Sequence, residues 1–367
     1  MAEALKNMYN KEFLQQFGEQ IYNVYNSFDI NKFIATIIDD TWDELKLMER
    51  MDRITKTLGV FLPKKYDEAL EILFKIDEFC VGFPYLFFPN FVCVYGLSDE
   101  NWELSMLALK RFTIRSSSEF AVRPFIMSDP KRMIVKMLEW SKDNNEHVRR
   151  LASEGCRPRL PWGMALTMFK NDPTMVLSIL NKLIEDPSIY VRKSVANNLN
   201  DISKDHPFVI VETVRRLKGI NKNTDWILRH GSRTLIRKAN PEIMKLFGYG
   251  ESIDRPITTR ATLSIDPPSL KIGESCKIKY ELCIREGDPI HIRIEYGIYF
   301  IRSRGKTSCK LFLLSDKIVT GGQCLTGTKI HKWVELTTRK HYPGEHKIVI
   351  LINRSEEHTS ELQSPSG

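Results

Sequence analysis

Two short stretches, "DNNEHVRR" at 143–150 and "DPSIYVRK" at 186–193, decide the fold of the N-terminal part of the chain. In each, an aspartate stands five residues before a valine, and an arginine follows that valine. The aspartate-to-apolar spacing recurs at Asp99 and, more weakly, at Asn223, so the periods are 44, 43 and 37 residues. A helical repeat of roughly 40 residues predicts paired helices stacked as an α-solenoid. The repeated Asp and Arg are expected to be structural, one near a helix start and one tying neighbouring repeats.

A change in hydrophobic period divides the chain into two domains. Residues 1–250 carry apolar side chains at three- and four-residue intervals, as in "YDEALEILFKIDEFC" (66–80), which predicts helices. After a segment rich in Pro, Ser and Thr, interpreted as a linker at 251–261, the period becomes two, as in "IHIRIEYGIYFI" (290–301). The sequence therefore predicts a mainly α chain in which the solenoid is followed by a C-terminal immunoglobulin-like β-sandwich over 262–353.

Composition excludes several classes of protein. The chain of 367 residues is 42% hydrophobic and 27% charged, enough for two or three domains with proper cores. It has neither an apolar run of about 18 residues nor the apolar core of a signal peptide. The seven cysteines form no Cys-x-x-Cys pair and indicate reduced thiols rather than a disulfide framework or a zinc site. The sequence also has no phosphate-binding glycine loop. Together these absences predict no cofactor, no metal and no membrane.

The net charge of +8 is concentrated in one region. Between Arg215 and Lys238 there are eight basic residues and a single acid, Asp225. This density favours an anionic partner, nucleic acid first and an anionic membrane second, although a solvated helix face would look the same.

Within that region, a basic ridge is predicted. Arg229, Arg233 and Arg237 recur every four residues and would form one ridge of a helix that follows the DNA backbone. His230 lies beside the ridge and is either a further DNA contact or a packed core histidine. Lys193 is the alternative site of backbone contact should the ridge face solvent.

The C-terminal segment 354–367 differs in character from the rest of the chain. Its stretch "RSEEHTSELQS" resembles a translated short-read sequencing adapter. It is therefore expected to be a non-native tail that packs against nothing.

Three acidic residues stand where local sequence does not explain them. Glu154 comes 11 residues after Asp143, and Asp201 comes 15 after Asp186, so both lie near predicted helix ends. A carboxylate there opposes the helix macrodipole. Glu119 occupies the corresponding edge of the preceding repeat. Because adjacent repeats place such helices side by side, we expect these acids to share one surface.

Each candidate has a plain structural alternative that the sequence leaves open. The alternatives are a turn cap for Asp201, an ion pair with Arg150 for Glu154, an ion pair with Arg115 or Arg123 for Glu119, a core anchor for Trp162, and solvated loop charges for Arg157 and Arg159.

Four segments resemble one family. They are "SSSEFAVRPF" (116–125), "ASEGCRPRLPWG" (152–163), "SVANNLNDISKDHP" (194–207) and "DWILRHGSRTLIRK" (225–238). Together they resemble the AlkC branch of the HEAT-like-repeat DNA glycosylases, over roughly residues 5 to 350 and including the sandwich of one AlkC subgroup.

The resemblance implies the activity and the site. The family excises small cationic bases such as 3-methyladenine from duplex DNA, and its acidic and aromatic site residues fall on Glu119, Glu154, Asp201 and Trp162. Carboxylates would stabilise the positive charge that develops on the deoxyribose and orient the attacking water. An indole face attracts a cationic base.

The remaining expectations concern partners and place of action. Arg157 and Arg159 would hold the backbone of double-stranded DNA that contains alkylated bases. We expect a monofunctional, monomeric enzyme of the bacterial cytoplasm, associated with the nucleoid. A non-catalytic HEAT-repeat scaffold that binds DNA or protein is the alternative. A glycosylase of the related AlkD branch, which tolerates bulky adducts, is a third hypothesis, against which the appended sandwich argues.

Overall fold

The computed structural model describes residues 5–250, 256–302, 305–335 and 340–364. The chain divides into two compact units, Met1–Arg233 and Thr234–Gly367. The α-helices of the described residues are α1 (Lys11–Val24), α2 (Ile30–Ile37), α3 (Leu47–Phe61), α4 (Tyr66–Ile76), α5 (Phe87–Tyr95), α6 (Trp102–Arg115), α7 (Val122–Ser128), α8 (Pro130–Trp140), α9 (Glu146–Glu154), α10 (Thr167–Asn171), α11 (Thr174–Lys182), α12 (Ile189–Asp205), α13 (Pro207–Leu217), α14 (Lys222–Gly231), α15 (Arg233–Arg237) and α16 (Pro241–Leu246).

The sequence repeat corresponds to a row of neighbouring helices. The apolar residues of the four copies lie on α6, α9, α12 and α14, and each of these helices packs against the next in the row. Asp143 and Asp186 precede the starts of α9 and α12. Arg149 of α9 donates to both carboxylate oxygens of Asp186, at 2.7 and 3.1 Å. The structural role predicted for the repeated Asp and Arg is confirmed for this pair, which ties one repeat to the next.

Close contact between α9 and α12 brings their C-terminal halves together. Val148 and Leu151 of α9 and Val195 of α12 are buried. The Ser153 and Ser194 hydroxyls lie 2.6 Å apart, and the Asn198 amide donates to the Ser153 carbonyl at 2.8 Å. These hydrogen bonds between small polar side chains and backbone allow the two helices to approach closely. The helix ends that carry Glu154 and Asp201 are thereby held side by side.

The second unit contains two antiparallel sheets. Its strands are β1 (Thr258–Asp266), β2 (Ser275–Ile284), β3 (Ile290–Ile301), β4 (Thr307–Val319), β5 (Cys324–Lys332), β6 (Gly344–Ile352) and β7 (Ser355–Ser364). One sheet has the order β1–β2–β5 and the other β4–β3–β6–β7. Alternate residues such as Ile278, Leu282, Ile294 and Ile298 fill the space between them with the fully buried Trp333. The predicted architecture, a helical solenoid followed by an immunoglobulin-like sandwich, is confirmed.

The C-terminal segment differs from its prediction. Residues 355–364 form β7, which pairs with β6 throughout its length. Leu362 is fully buried in the sandwich core, and Glu356 pairs with Lys347 at 3.0 Å. The prediction that 354–367 packs against nothing is therefore wrong for 355–364, because the open edge of β6 offers unpaired backbone groups that an adjoining strand satisfies. The non-native origin of the segment stays a prediction.

The observed element boundaries also differ from the predicted domain boundaries. The strands begin at Thr258 and end at Ser364, so the sandwich is wider than the predicted 262–353. Helix α16 ends at Leu246, and residues 251–255 of the predicted linker lie outside the described part of the chain.

Two of the cysteines are bonded. Cys283 and Cys324 lie directly opposite each other on β2 and β5 and form a disulfide. The interpretation of all seven cysteines as reduced thiols is thus wrong for this pair. Their separation of 41 residues gives no local spacing signal, since only the strand register brings them together.

Candidate active site

The candidate site is a chain of alternating charges at the C-terminal ends of α6, α9 and α12. Arg150 of α9 approaches Glu119 at 2.5 Å and Glu154 at 3.8 Å. Arg157, in the loop after α9, pairs with Glu154 at 2.6 Å and through its Nε with Asp201 at 2.9 Å. The structure therefore brings the three predicted acids into one network, as expected from the repeat.

Burial makes this pairing necessary. Glu154, Arg157 and Asp201 are 5%, 7% and 2% exposed, and an unpaired charge at such positions would be strongly unfavourable. Lys204 closes the network by pairing with the second oxygen of Asp201 at 2.9 Å. Burial by itself lowers the pKa of Arg157, but the charges of Glu154 and Asp201 outweigh it and raise that pKa above its usual value. Arg157 is thus a cation held between two carboxylates.

The turn-cap alternative does not describe Asp201, whereas the ion pair of Glu154 with Arg150 is present but is not the shortest contact of that carboxylate. Asp201 lies inside α12, four residues before its end, with both oxygens in ion pairs. Glu154 makes its shorter contact with Arg157, and Arg150 is the more distant partner.

Glu119 also has a different partner from those considered. It pairs with Arg150 and accepts a hydrogen bond from the Ser117 hydroxyl at 2.9 Å. Arg115 pairs with Glu78 instead, at 2.9 Å. Arg123 donates its hydrogen bonds to backbone carbonyls of the segment after α9.

Trp162 lies on the loop between α9 and α10. Its side chain is 65% exposed, so the core-anchor alternative is wrong. Its backbone φ is 64°, in the left-handed region that a bulky residue enters at a cost. Such strain, held in place by its surroundings, is typical of functional sites. Pro158 and Pro161 stiffen the same loop because each fixes its own φ.

Phe83 is a neighbour of Trp162 that the sequence did not reveal. The two ring centroids lie 6.3 Å apart in an edge-to-face arrangement, and Phe83 is 39% exposed. Gly82, with φ of 101°, donates its N–H to the Arg115 carbonyl at 2.8 Å and sets the turn that presents Phe83. Phe83 and Trp162 are separated by 79 residues in sequence, and no repeat or periodicity links them.

The predicted backbone-binding arginines occupy different environments. Arg157, 7% exposed and paired with two acids, lies inside the site rather than on the surface that a phosphate reaches. Its predicted contact with the DNA backbone does not fit this position, because its guanidinium group is already paired with Glu154 and Asp201. Arg159 makes a two-pronged pair with Asp205, at 2.7 and 3.2 Å, and remains partly exposed. That pair lowers the pKa of Asp205.

The basic ridge is not carried by one helix. α14 ends at Gly231 and α15 begins at Arg233, so Arg229 and Arg237 lie on different helices. A β-carbon on Gly231 would stand 2.9 Å from that of Leu199, which shows how closely α14 approaches α12. The single-helix ridge is therefore wrong, and the break occurs where this close contact requires glycine.

Three basic residues cluster at the end of α14. His230 is exposed and stacks on Trp226 with ring centroids 4.9 Å apart, so the packed-core alternative is wrong. Partial burial, and then the charges of Arg233 and Lys193, lower the pKa of His230 below its usual value. Arg233 donates to the Asn197 amide oxygen at 3.0 Å and to the His230 carbonyl at 2.9 Å. Whether these residues contact DNA stays a prediction.

Among the residues that the structure describes, no group of three or more His, Cys, Asp or Glu is arranged to hold a metal ion. In the same part of the chain, no helix combines the length and apolarity that crossing a bilayer requires.

Both parts of the chain are similar in sequence to known protein families. Residues 113–235 match a family model described as "DNA alkylation repair enzyme", and 259–363 match one described as "Uncharacterised protein YhaZ, C-terminal Ig-like domain". The uncharacterized protein YhaZ of Bacillus subtilis (strain 168) is 43% identical over 349 residues, 95% of this chain and 96% of that protein.

A solved structure decides the family. The Pseudomonas fluorescens alkylpurine DNA glycosylase AlkC, bound to DNA containing an abasic site analog, superposes with a TM-score of 0.92 and 35% identity. The match covers 99% of this chain and 100% of that one. The chain belongs to the AlkC-type alkylpurine DNA glycosylases. Among the candidate residues of this AlkC-type chain, those from Glu119 to Arg233 fall inside the matched 113–235, and Arg237 falls just outside.

Proposed function

We propose that the chain is a monofunctional DNA glycosylase that hydrolyses the N-glycosidic bond of small cationic alkylated bases, such as 3-methyladenine, in duplex DNA. The observation that carries this proposal is the meeting of Glu119, Glu154 and Asp201 in one network beside the loop of an exposed Trp162. A scaffold that only binds DNA does not need three carboxylates held together beside an exposed aromatic ring.

The carboxylates act on the sugar. Breaking the bond between base and deoxyribose leaves positive charge on the sugar, and fixed carboxylates nearby stabilise that charge without reorganisation. One of them also orients and deprotonates the attacking water. An N3-methylated adenine is already a cation and leaves readily, so the site needs no protonated acid for the base.

The arginines make the acids compatible with DNA. Arg150, Arg157 and Lys204 supply three positive charges against the three carboxylates, so the network as a whole is close to neutral. DNA phosphates then meet little repulsion at the site. The same cations fix the carboxylates in one geometry, which preserves the orientation that catalysis needs.

Trp162 selects for positive charge. The face of an exposed indole attracts a cation by roughly 0.5–2 kcal/mol, depending on how far water is excluded. A methylated base that carries a positive charge benefits from this attraction, whereas a normal neutral base does not. Phe83 supports the ring edge-on and adds a second exposed aromatic surface.

The decisive experiment measures release of 3-methyladenine from methylated duplex DNA under single-turnover conditions. We expect release by the wild type and at least a tenfold lower rate for Asp201→Asn. Asp186→Asn is the matched control, since Asp186 is also a buried acid of the helical unit paired with an arginine, Arg149. It should lose stability and retain the rate per folded molecule.

Three outcomes separate the candidates. DNA binding without base release by the wild type would leave only the scaffold function. Release of bulky adducts as efficiently as 3-methyladenine would favour the AlkD-type activity. Trapping of a covalent protein–DNA adduct by borohydride would contradict the monofunctional mechanism, because it requires an amine nucleophile such as Lys204 in place of water.

The proposed activity also leads to expectations about where the protein acts and in which oligomeric state. Its substrate is chromosomal DNA, so we expect it in the bacterial cytoplasm at the nucleoid. Since the acids and Trp162 all come from one chain, we expect a monomer to be sufficient for excision.

A further inference from the structure

One fully buried cation in the helical unit has no role in the mechanism above. Arg123, on the short helix α7, is 0% exposed. Its Nε donates to the carbonyl of Met164 at 2.8 Å, and one terminal nitrogen donates to the carbonyls of Gly155 and Arg157 at 2.8 and 2.9 Å. The other terminal nitrogen donates to Met164 again.

These bonds reach both ends of the loop that follows α9. Gly155 and Arg157 stand at its start and Met164 stands near its end, with Trp162 between them. A β-carbon added to Gly163 would lie 3.4 Å from Cδ and Nε of Arg123, so the loop backbone lies directly on the guanidinium stem. A single side chain thus joins the two ends of the segment that carries Arg157, Arg159 and Trp162.

The chemistry of this contact is unusual for a structural arginine. Burial lowers the pKa of Arg123 to about 10, and each of the hydrogen bonds described above goes to a neutral carbonyl. A buried guanidinium without a bonded carboxylate is costly, and an apolar side chain of the same volume would fill the space more cheaply. What an apolar side chain lacks is the planar fork, which holds three carbonyls at fixed angles.

The loop needs such a restraint because its geometry is strained. Trp162 has a φ of 64°, and the chain around it has few internal bonds, from Gly163 N to Leu160 O and from Leu166 N to Pro158 O, both at 3.2 Å. Without an external tie, the loop would relax toward backbone angles that tryptophan prefers.

We propose that Arg123 is a positioning residue: by bonding the carbonyls of Gly155, Arg157 and Met164, it holds Trp162 and Arg157 in the arrangement that the excision site requires. This inference rests on the proposed function only for its catalytic consequence. Its structural consequence, a fixed conformation of Trp162, stands independently.

The test compares Arg123→Met and Arg123→Lys with Arg50→Met. Arg50 is the control for a buried arginine elsewhere in the same unit, since it is 3% exposed, donates to the Lys6 carbonyl at 3.1 Å and to Asp43 at 3.3 Å, and stacks on Trp42. The proteins carry 5-fluorotryptophan, and the ¹⁹F resonance of Trp162 is assigned with Trp162→Phe. Melting temperature, undamaged-DNA affinity and single-turnover excision are measured alongside.

We expect both Arg123 variants to shift or broaden the Trp162 resonance and to lower the excision rate, by up to about 100-fold for Arg123→Met, the order found for misplaced catalytic groups. Affinity for undamaged DNA should change much less. Arg50→Met should lower the melting temperature without either effect. Arg123→Lys keeps the positive charge and the aliphatic chain but lacks the planar guanidinium group. It therefore tests the role of the guanidinium group if Arg123→Met does not fold.

A wild-type Trp162 resonance and excision rate in Arg123→Lys and Arg123→Met would overturn the proposal, whatever their stability. If the wild type itself releases no base, the glycosylase function fails, yet the resonance of Trp162 still decides whether Arg123 positions the loop.

Discussion

The helical unit and the sandwich each contain a buried network of alternating charges, and the two differ in where their members come from. In the helical unit the members lie at the ends of separate repeats and in the loop after α9. In the sandwich they lie along adjacent strands, where Arg293 pairs with Glu295 at 2.9 Å and with Asp316 at 3.1 Å.

The sandwich network is enclosed by its own neighbours. His291 contacts Asp316 at 2.8 Å, and Tyr249 stacks on His291 with ring centroids 4.1 Å apart while its hydroxyl donates to Asp316. The helical network instead adjoins the loop that carries the exposed, strained Trp162. Buried ion pairs therefore do not by themselves mark an active site. What distinguishes the helical network is that it holds carboxylates beside a strained loop and an aromatic surface open to a ligand.

The prediction with the largest expected effect replaces one glutamate with glutamine in each network. Glu154 and Glu295 are 5% and 3% exposed, and each bonds an arginine, so Glu154→Gln and Glu295→Gln remove the same charge from similar surroundings. Both should lose up to about 3–5 kcal/mol of unfolding free energy, the range for breaking a buried pair. Only Glu154→Gln should lower single-turnover excision, by at least tenfold, and its DNA binding should be equal or tighter.

Chemical denaturation and base-release assays on both variants check this prediction. Wild-type excision by Glu154→Gln would remove Glu154 from the catalytic residues, and an equal loss in both variants would place the effect in overall stability.

The second prediction concerns the edge of the sandwich. Deleting 354–367 should lower the melting temperature of the sandwich, because it exposes the edge of β6 and removes the buried Leu362. Leu362→Ser should produce part of the same loss, since it retains the backbone pairing. Calorimetry of the intact chain and both variants gives the measurement. Unchanged melting after the deletion would mean that β7 contributes nothing to the fold.

The third prediction concerns the basic cluster at the end of α14. If Arg233 neutralises a phosphate, Arg233→Ala should reduce the salt slope of log K by about 0.9. The loss should be similar for damaged and undamaged DNA, because phosphate contacts carry no lesion information. Titrations at several salt concentrations measure the slope. An unchanged slope on both DNAs would assign Arg233 to the contact with Asn197 and redirect the search to Arg159 and Lys193.

The smallest effect should come from His230. Its pKa lies below the usual value, from partial burial and the charges of Arg233 and Lys193, so it is neutral at pH 7. A nearby phosphate would raise that pKa, so binding would take up a proton and DNA affinity would rise as the pH falls through the pKa of His230 in the complex. Without DNA the sign reverses: the unfolded chain is protonated first, and stability is lost as the pH falls below about 6.5, the usual pKa of histidine. His230→Gln should remove both dependences, which binding and melting at pH 7 and 5.5 would reveal.

The repeat was predictable because its signal is local and periodic. The Asp-to-Val spacing predicts where α9 and α12 start, and the helix length then places Glu154 and Asp201 near neighbouring helix ends. Their convergence follows from those two facts together with the stacking of repeats. The strands were predictable for a similar reason, since alternation of apolar residues is visible within each segment.

Other features depend on contacts that no local pattern encodes. The pairing of Cys283 with Cys324 requires the register of β2 and β5. The hydrogen bond from Arg123 to the Met164 carbonyl joins residues that lie 41 positions apart in the sequence. The buried position of Arg157 was missed because an arginine beside a proline looks solvated until its two partners are placed. In the same way, the composition of β7 gave no sign of the open strand edge it pairs with.

The exposure of Trp162 has a consequence for turnover. A 3-methyladenine is cationic only while it is attached to the sugar, and the excised base is neutral. The attraction of the indole face therefore disappears at the moment of bond cleavage, so the free base should inhibit the enzyme weakly. The abasic DNA keeps its phosphates and its electrostatic hold on the protein. Release of that DNA should then set the steady-state rate, and added salt should speed later turnovers while leaving the first one unchanged.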